Sequence, residues 1–144
     1  MTPPVDNLTI WLATAADAAR LARFNKRLIE EEGHHNPMDE AQLAARMLEW
    51  LLGKYFAGIA QDDHTAYGYV LARPEGDWLY IRQLYLEPGA RRRGIGRRLV
   101  EWAAAHWPNT RRVRIDVLVG NTGALEFWRA AGFRDYCITL DRKA

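Results

Sequence analysis

Apolar positions along this chain recur first at helical spacing and then in alternation, and each change of period marks an element. Ala18, Leu21, Ala22, Phe24 or Asn25, Leu28 and Ile29 share one face of a helix. Thr14 with Asp17 gives that helix a capping box, and Glu30-Glu31-Glu32-Gly33 ends it. His34-His35-Asn36-Pro37 reads as a loop. Asp39 then caps a second helix running to Leu52, with Leu43, Met47, Trp50 and Leu51 facing inward. Beyond Gly53-Lys54 the pattern turns to strands: Tyr55 to Ala60, Ala66 to Ala72 and Trp78 to Leu86, separated by polar turns. A weak strand precedes them at Leu8 to Trp11. Ile95, Leu99, Trp102, Ala103 and His106 return to helical spacing, and Pro108-Asn109 breaks it. Arg111 to Val119 alternates again, Asn121-Thr122 opens a short helix to Ala131, and Phe133 to Leu140 reads as a final strand with Cys137 packed in it.

This order predicts a mixed α/β sandwich, with a largely antiparallel central sheet flanked by helices, in one domain over residues 1–144. Composition adds little to that picture. The apolar share of 49% and charged share of 26% are ordinary for a globular domain. Net charge is +2, so any dense positive cluster is a local feature. One cysteine excludes an internal disulfide and suits a reducing compartment. With no apolar run near the ~20 residues of a membrane span and no leader pattern, the expected location is the cytoplasm, away from membrane.

The chemistry concentrates between Ile81 and Trp107. There a strand is broken by Pro88-Gly89, and Arg91-Arg92-Arg93-Gly94-Ile95-Gly96 opens a helix. Unpaired N–H groups at a helix start attract anions, and five arginines lie between Arg91 and Arg98, so a phosphate ligand is indicated. A P-loop would need Gly-Lys-Ser/Thr after four residues, and none exists. A dinucleotide fingerprint would need a third glycine where Leu99 stands, and seven residues separate Leu86 from Gly94. Both common nucleotide motifs are excluded.

Leu84-Tyr85-Leu86-Glu87-Pro88 followed by Arg91-x-x-Gly94-x-Gly96 resembles the central motif of the GNAT superfamily of N-acetyltransferases. That motif is Arg/Gln-x-x-Gly-x-Gly/Ala after a strand of the form hydrophobic-Tyr-hydrophobic-x-Pro. A second family block is matched by Asn121, Ala124, Phe127-Trp128 and Gly132-Phe133. The resemblance implies the GNAT acyl-CoA N-acyltransferase fold. It also implies transfer of an acetyl group from acetyl-CoA to a primary amine, directly within a ternary complex and with no metal. In the family the strand before the loop carries a bulge, and its freed backbone binds pantetheine; those positions match Leu84, Tyr85 and Leu86. A backbone N–H near Leu86 would polarise the thioester carbonyl. The pyrophosphate would sit on the amides of Arg92 to Arg97, around Gly94, Ile95 and Gly96, with Arg91 and Arg93 adjoining. Asn121 would reach the pantetheine from the next strand.

Two departures from the family pattern matter. Where many members have a tyrosine that protonates the departing thiolate, this chain has Trp128, which the resemblance places among the CoA-binding residues, and an indole cannot do so. A thiol of pKa about 8.5 forgoes only ~2 kcal/mol on leaving as thiolate at pH 7, whereas deprotonating an amine of pKa about 10.4 costs roughly 4 to 5 kcal/mol, so the base is the larger question. The strand offers Arg82 and Gln83, neither of them a base. Glu30, Glu31, Glu32, His34 and His35 lie in the segment that lines the acceptor cleft in relatives, with Glu32 and His34 the base candidates and His35 and Arg82 the acceptor contacts. A solvated acidic helix end is the plainer reading of the same segment. Arg82, at a usually acidic position, would suit a carboxylate on the acceptor.

Three function classes follow. An acetyltransferase acting on a small-molecule or protein amine comes first, with a homodimer compatible with the apolar aromatic content. A CoA-binding regulatory domain without catalysis comes second, because of Trp128. A nucleic-acid binder is disfavoured, since it would have no need of Gly94 and Gly96.

Overall fold

The computed structural model describes residues 7–33 and 36–144. His34 and His35 therefore lie outside the described residues. Strand β1 (Thr9–Leu12) leads through a 3₁₀ turn to α1 (Ala18–Glu32) and α2 (Glu40–Leu52). Strands β2 (Phe56–Gln61), β3 (Ala66–Glu75) and β4 (Trp78–Leu86) follow, then α3 (Ile95–His106), β5 (Arg112–Ile115) and α4 (Thr122–Ala130). The strands form one sheet in the order β1-β2-β3-β4-β5. Every neighbouring pair is antiparallel except β4 with β5. The crossover between those two is α3, as a parallel pair requires. Among the described residues, no helix is long and apolar enough to cross a membrane.

Helix starts follow the local chemistry. The Asp39 carboxylate accepts the Gln42 N–H at 2.8 Å while the Gln42 side chain accepts the Asp39 N–H at 2.9 Å, which satisfies two donors at the start of α2. The Thr14 N–H donates to Asp17 at 2.8 Å at the entry to α1. Gly33 closes α1 with φ +69°, the left-handed stop that a glycine adopts without strain.

Alternation sends each strand's side chains to two apolar clusters, one on either face of the sheet. Tyr69 and Leu71 pack with Leu21, Phe24 and Met47 of α1 and α2. Val70 and Ala72 pack with Ile95, Leu99 and Ala103 of α3 and with Trp128 of α4. In β4 the parity changes partway. Leu79 and Ile81 face α3, but beyond them Leu84 and Leu86 do so, while Tyr85 faces α1. The cause is a bulge: Leu71 pairs with Gln83 and Ala72 with Ile81, so Arg82 is the extra residue. One inserted residue exchanges the faces of everything after it.

Two sequence expectations are corrected here. Arg111 to Val119 forms a strand only over Arg112–Ile115, and Phe133 to Leu140 forms none. Alternation fixes which side chains share a face, but a strand also needs a neighbouring edge for its backbone N–H and C=O groups. Among the described residues, none pairs with 133–140. Tyr136, Ile138 and Leu140 are exposed, and so is Cys137, which is not packed as expected.

Substitutions should report this contrast. Leu99→Ala, at a position with no exposure, is expected to lower unfolding free energy by about 2–5 kcal/mol, whereas Ile138→Ala should stay within about 0.5 kcal/mol of the parent. Urea denaturation curves measure both; equal losses would mean that the 133–140 segment is covered.

Candidate active site

The loop before α3 is built from unusual backbone. Arg92 takes φ +61° and Gly94, the N-cap, takes φ +79°. Two left-handed residues so close together reverse the chain and present successive N–H groups on one side. The Arg98 N–H closes the first turn on the Gly94 carbonyl at 3.2 Å, so the amides of Ile95, Gly96 and Arg97 precede the intrahelical ladder. Gly96 has a packing reason to be glycine. A β-carbon there would approach the Phe127 ring to 3.0 Å, so its absence lets α3 and α4 close on each other.

Most of the arginine side chains are held by the protein itself. Arg91 donates to both Glu31 oxygens at 2.7 and 2.6 Å and to the Leu86 carbonyl at 3.0 Å, with its guanidinium over Tyr85. Arg97 donates to the Ala130 carbonyl, and Arg98 to the Leu8 carbonyl at 3.3 Å. The Arg93 guanidinium lies 5.8 Å from the Tyr67 ring centroid. Arg92 is exposed. What the loop offers an anion is therefore mainly backbone N–H and the helix dipole, with the guanidiniums bracing the loop from behind.

Beside this loop runs the far half of β4. Its parallel ladder with β5 extends from Trp78↔Arg112 to Ile81↔Ile115 and registers no pair beyond. On the other side, Leu84, Tyr85 and Leu86 stay paired with Val70, Tyr69 and Gly68 of β3. Among the described residues, one edge of β4 thus has no strand beside it over Arg82–Leu86, next to the start of α3. Tyr85 is buried, and burial, followed by the charge of Glu31, raises its phenol above the ordinary value, so it is a neutral hydroxyl at pH 7.

The C-terminal end of α1 separates two clefts. The first, about 420 Å³, holds Glu30, Glu31, Tyr85 and Glu87, with Arg27 paired to Glu87. The second, about 490 Å³, is bounded by α1, α2 and the bulge, and holds Asn25, Glu32, Arg46, Tyr80, Arg82 and Gln83. The 36–39 stretch that closes it is tied down by Lys26 Nζ donating to the Met38 carbonyl at 3.1 Å and by the Met38 N–H donating to Asn36 at 3.0 Å. At a bulge two successive side chains turn to one side, which places Arg82 and Gln83 together in this cleft.

The structure brings Glu32 and Arg82 together in the second cleft and puts Leu84 to Leu86 directly beyond it. Glu31 is drawn into the Arg91 pair. Asn121 caps α4, its side-chain oxygen accepting the Ala124 N–H at 3.1 Å. Trp128 is buried edge-on to Phe127 and Phe133, each 5.0 Å away between ring centroids. Arg46 is not among the residues that the sequence points to, and Trp50 and Asn25 enter there only as inward-facing helix positions. Their signals are present, however: Arg46 and Trp50 stand four apart on α2, and Asn25 is a polar residue on an apolar helical face.

Comparison with known structures finds the same architecture repeatedly. Aminoglycoside N-acetyltransferase AAC(6')-Iy, solved in complex with CoA, superposes with a TM-score of 0.80 at 19% identity over 99% of both chains. A possible acetyltransferase from Clostridium difficile 630 gives 0.78 at 18% identity, covering 96% of this chain and 98% of that one. The aminoglycoside acetyltransferase meta-AAC0020, from an uncultured soil metagenomic sample and in complex with sisomicin, gives 0.76 at 15% identity, covering 96% and 97%. At such identities the likeness establishes the fold, mixed α/β with a five-stranded sheet. No curated protein matches the chain. The sequence model of the Acetyltransferase (GNAT) family aligns with residues 12–133, taking in the helix pair, the bulged strand, the glycine loop and α4, and the chain therefore belongs to that family.

Proposed function

We propose that this protein transfers the acetyl group of acetyl-CoA to a primary amine by direct attack within a ternary complex. The observation that carries the reading is the open edge of β4 lying between the N–H-rich start of α3 and the cleft that holds Glu32. The residues present suit the co-substrate. The amides from Arg92 to Arg97 receive the pyrophosphate, since they are unpaired donors at a positive helix end. The exposed edge at Leu84, Tyr85 and Leu86 supplies backbone partners for pantetheine. Asn121 spends its oxygen on the α4 cap, which leaves its N–H₂ as the donor for the same arm. Acetyl-CoA itself supplies the activated thioester.

The chain's own part is positioning and proton handling. A backbone N–H near Leu86 polarises the thioester oxygen, where charge develops during acyl transfer. Glu32 takes the proton that the amine must lose; His34, the other base candidate, lies outside the described residues. As the nitrogen bonds to the carbonyl carbon and the C–S bond breaks, the sulfur leaves as thiolate. Trp128 cannot protonate it, and its burial among Phe127 and Phe133 gives it a packing role. A small-molecule amine is the acceptor class supported by several structural neighbours that are aminoglycoside acetyltransferases, one of them in complex with a bisubstrate analogue. The buried Trp128 favours one second reading, a CoA-binding regulatory domain without turnover.

Free thiol released from acetyl-CoA over a panel of primary amines separates the two. The enzyme reading expects release that saturates with at least one amine; release no faster than the amine-free rate, with acetyl-CoA still bound, would favour the regulatory domain. Gly94→Val forces a β-branched residue to φ +79° and is expected to weaken acetyl-CoA binding at least ~10-fold by calorimetry, with the far-ultraviolet circular dichroism retained. Glu32→Gln should lower kcat by roughly 10²-fold, the low end for a general base, while leaving acetyl-CoA affinity unchanged. A kcat within about threefold of the parent would remove Glu32 from the mechanism.

A further inference from the structure

The cleft bounded by α1, α2 and the bulge is furnished chiefly with hydrogen-bond donors and positive charge. Arg46 and Arg82 share one aromatic support, their guanidinium carbons 4.4 and 4.7 Å from the Trp50 ring centroid. They are close enough that Arg46 is held below its ordinary pKa, first by burial and then by the positive charge of Arg82. Arg46 Nε is buried and, among the described residues, has no hydrogen-bond partner. Three amides line the cleft, and each has its oxygen engaged; that of Asn36 accepts the Met38 N–H at 3.0 Å. Asn25, 1% exposed, has its oxygen taken by Arg46 at 3.1 Å, and among the described residues its amide nitrogen has no partner. Gln83 has its oxygen taken by the hydroxyl of fully buried Tyr69 at 2.8 Å, so what it has left to offer is N–H. Burial holds the Tyr69 phenol far above its ordinary pKa, which keeps it a donor and keeps Gln83 in this orientation.

Two guanidiniums and the amide N–H₂ groups of Asn25, Asn36 and Gln83 in one small cleft call for oxygen acceptors with negative charge. The planar forks of Arg46 and Arg82 suit a carboxylate. Glu32 is the carboxylate among the described residues of this cleft, and it stands on the α1 side, opposite the bulge.

Resting on the acetyltransferase reading above, we propose that the acceptor is a small aminocarboxylate, an amino acid or close analogue. Its carboxylate lies between Arg82 and Arg46 on the Trp50 face, and its amine is turned toward Glu32 and the open edge of β4. A polycation with no acid group, of the aminoglycoside or polyamine kind, would bring further positive charge against two guanidiniums and leave the amide donors unmatched. Arg82 and Arg46 thus set specificity by charge, and neither takes part in proton transfer.

The test uses the intact chain with acetyl-CoA and thiol detection, offering L-amino acids, their C-terminal amides, spermidine and kanamycin. Removing a charged hydrogen-bond partner corresponds to roughly tenfold or more. At least one amino acid should therefore exceed its own amide about 10-fold or more in kcat/KM. Arg82→Gln should bring the pair within about threefold by acting on the amino acid alone, and Arg82→Lys should fall between. Calorimetry of N-acetyl-amino acids against their N-acetyl amides, with CoA present, reads the same preference without turnover. Amides, spermidine or kanamycin turned over as well as the amino acids, a preference that survives in both Arg82→Gln and Arg46→Gln, or N-acetyl-amino acids that bind no better than their amides would each overturn the proposal. Loss of acetyl-CoA binding to the parent chain would instead strike the acetyltransferase reading, and calorimetry with acetyl-CoA alone tells the two failures apart.

Discussion

Every backbone N–H and C=O of a buried strand needs a partner, and among the described residues no strand pairs with one edge of β4 over Arg82–Leu86, where Arg91 engages the Leu86 carbonyl. Such an opening would be costly in a closed sheet. Here it is held open by two features of the chain. The bulge at Arg82 changes the parity of β4, and β5 ends its ladder at Ile115. The start of α3 adds a second set of unpaired donors beside the first. An extended ligand with amide groups at one end and phosphates at the other could satisfy both, which is the chemistry of a pantetheine diphosphate.

Charge is arranged around this gap so that the loop itself remains accessible. Glu31, the Leu86 carbonyl and the Ala130 carbonyl engage Arg91 and Arg97, fixing the turn to the body of the protein. Exposed ion pairs of this kind add little stability, and a bidentate pair is better regarded as setting geometry. The bracing extends to the end of α1, whose acids a sequence reading treats as solvated. Glu31 is committed to the loop, while Glu32, one residue on, belongs to the opposite cleft. Neighbouring carboxylates thus serve different sides of the helix, as the ~100° step between successive helical residues demands.

The elements were largely legible because their signals are local. The Asp39 cap, the apolar face of α3 at Ile95, Leu99 and Ala103, and the Pro88-Gly89 break rest on local signals, and each forms as read. The expected strand at 133–140 fails for the opposite reason. Its alternation is real, but pairing depends on an edge that sequence cannot position, and Tyr136, Ile138 and Leu140 are left exposed. The arginine cluster was likewise visible as composition, whereas Glu31, Ala130 and Leu8, which engage Arg91, Arg97 and Arg98, lie 33 to 90 positions away.

By itself the sequence determined the order of helices and strands and the glycine-opened start of α3, and through two motif blocks it identified the acetyltransferase family. These rest on periodicity, capping and backbone conformation, all short-range. Only the tertiary structure decided that Arg82 is a bulge residue turned beside Gln83, and that Arg46 from α2 shares the Trp50 ring with it. It also decided that Asn25 and Gln83 each have their oxygen engaged and only N–H left to give. Those facts depend on how α1, α2, β3 and β4 pack against one another. Helix propensity and strand alternation carry no information about that packing.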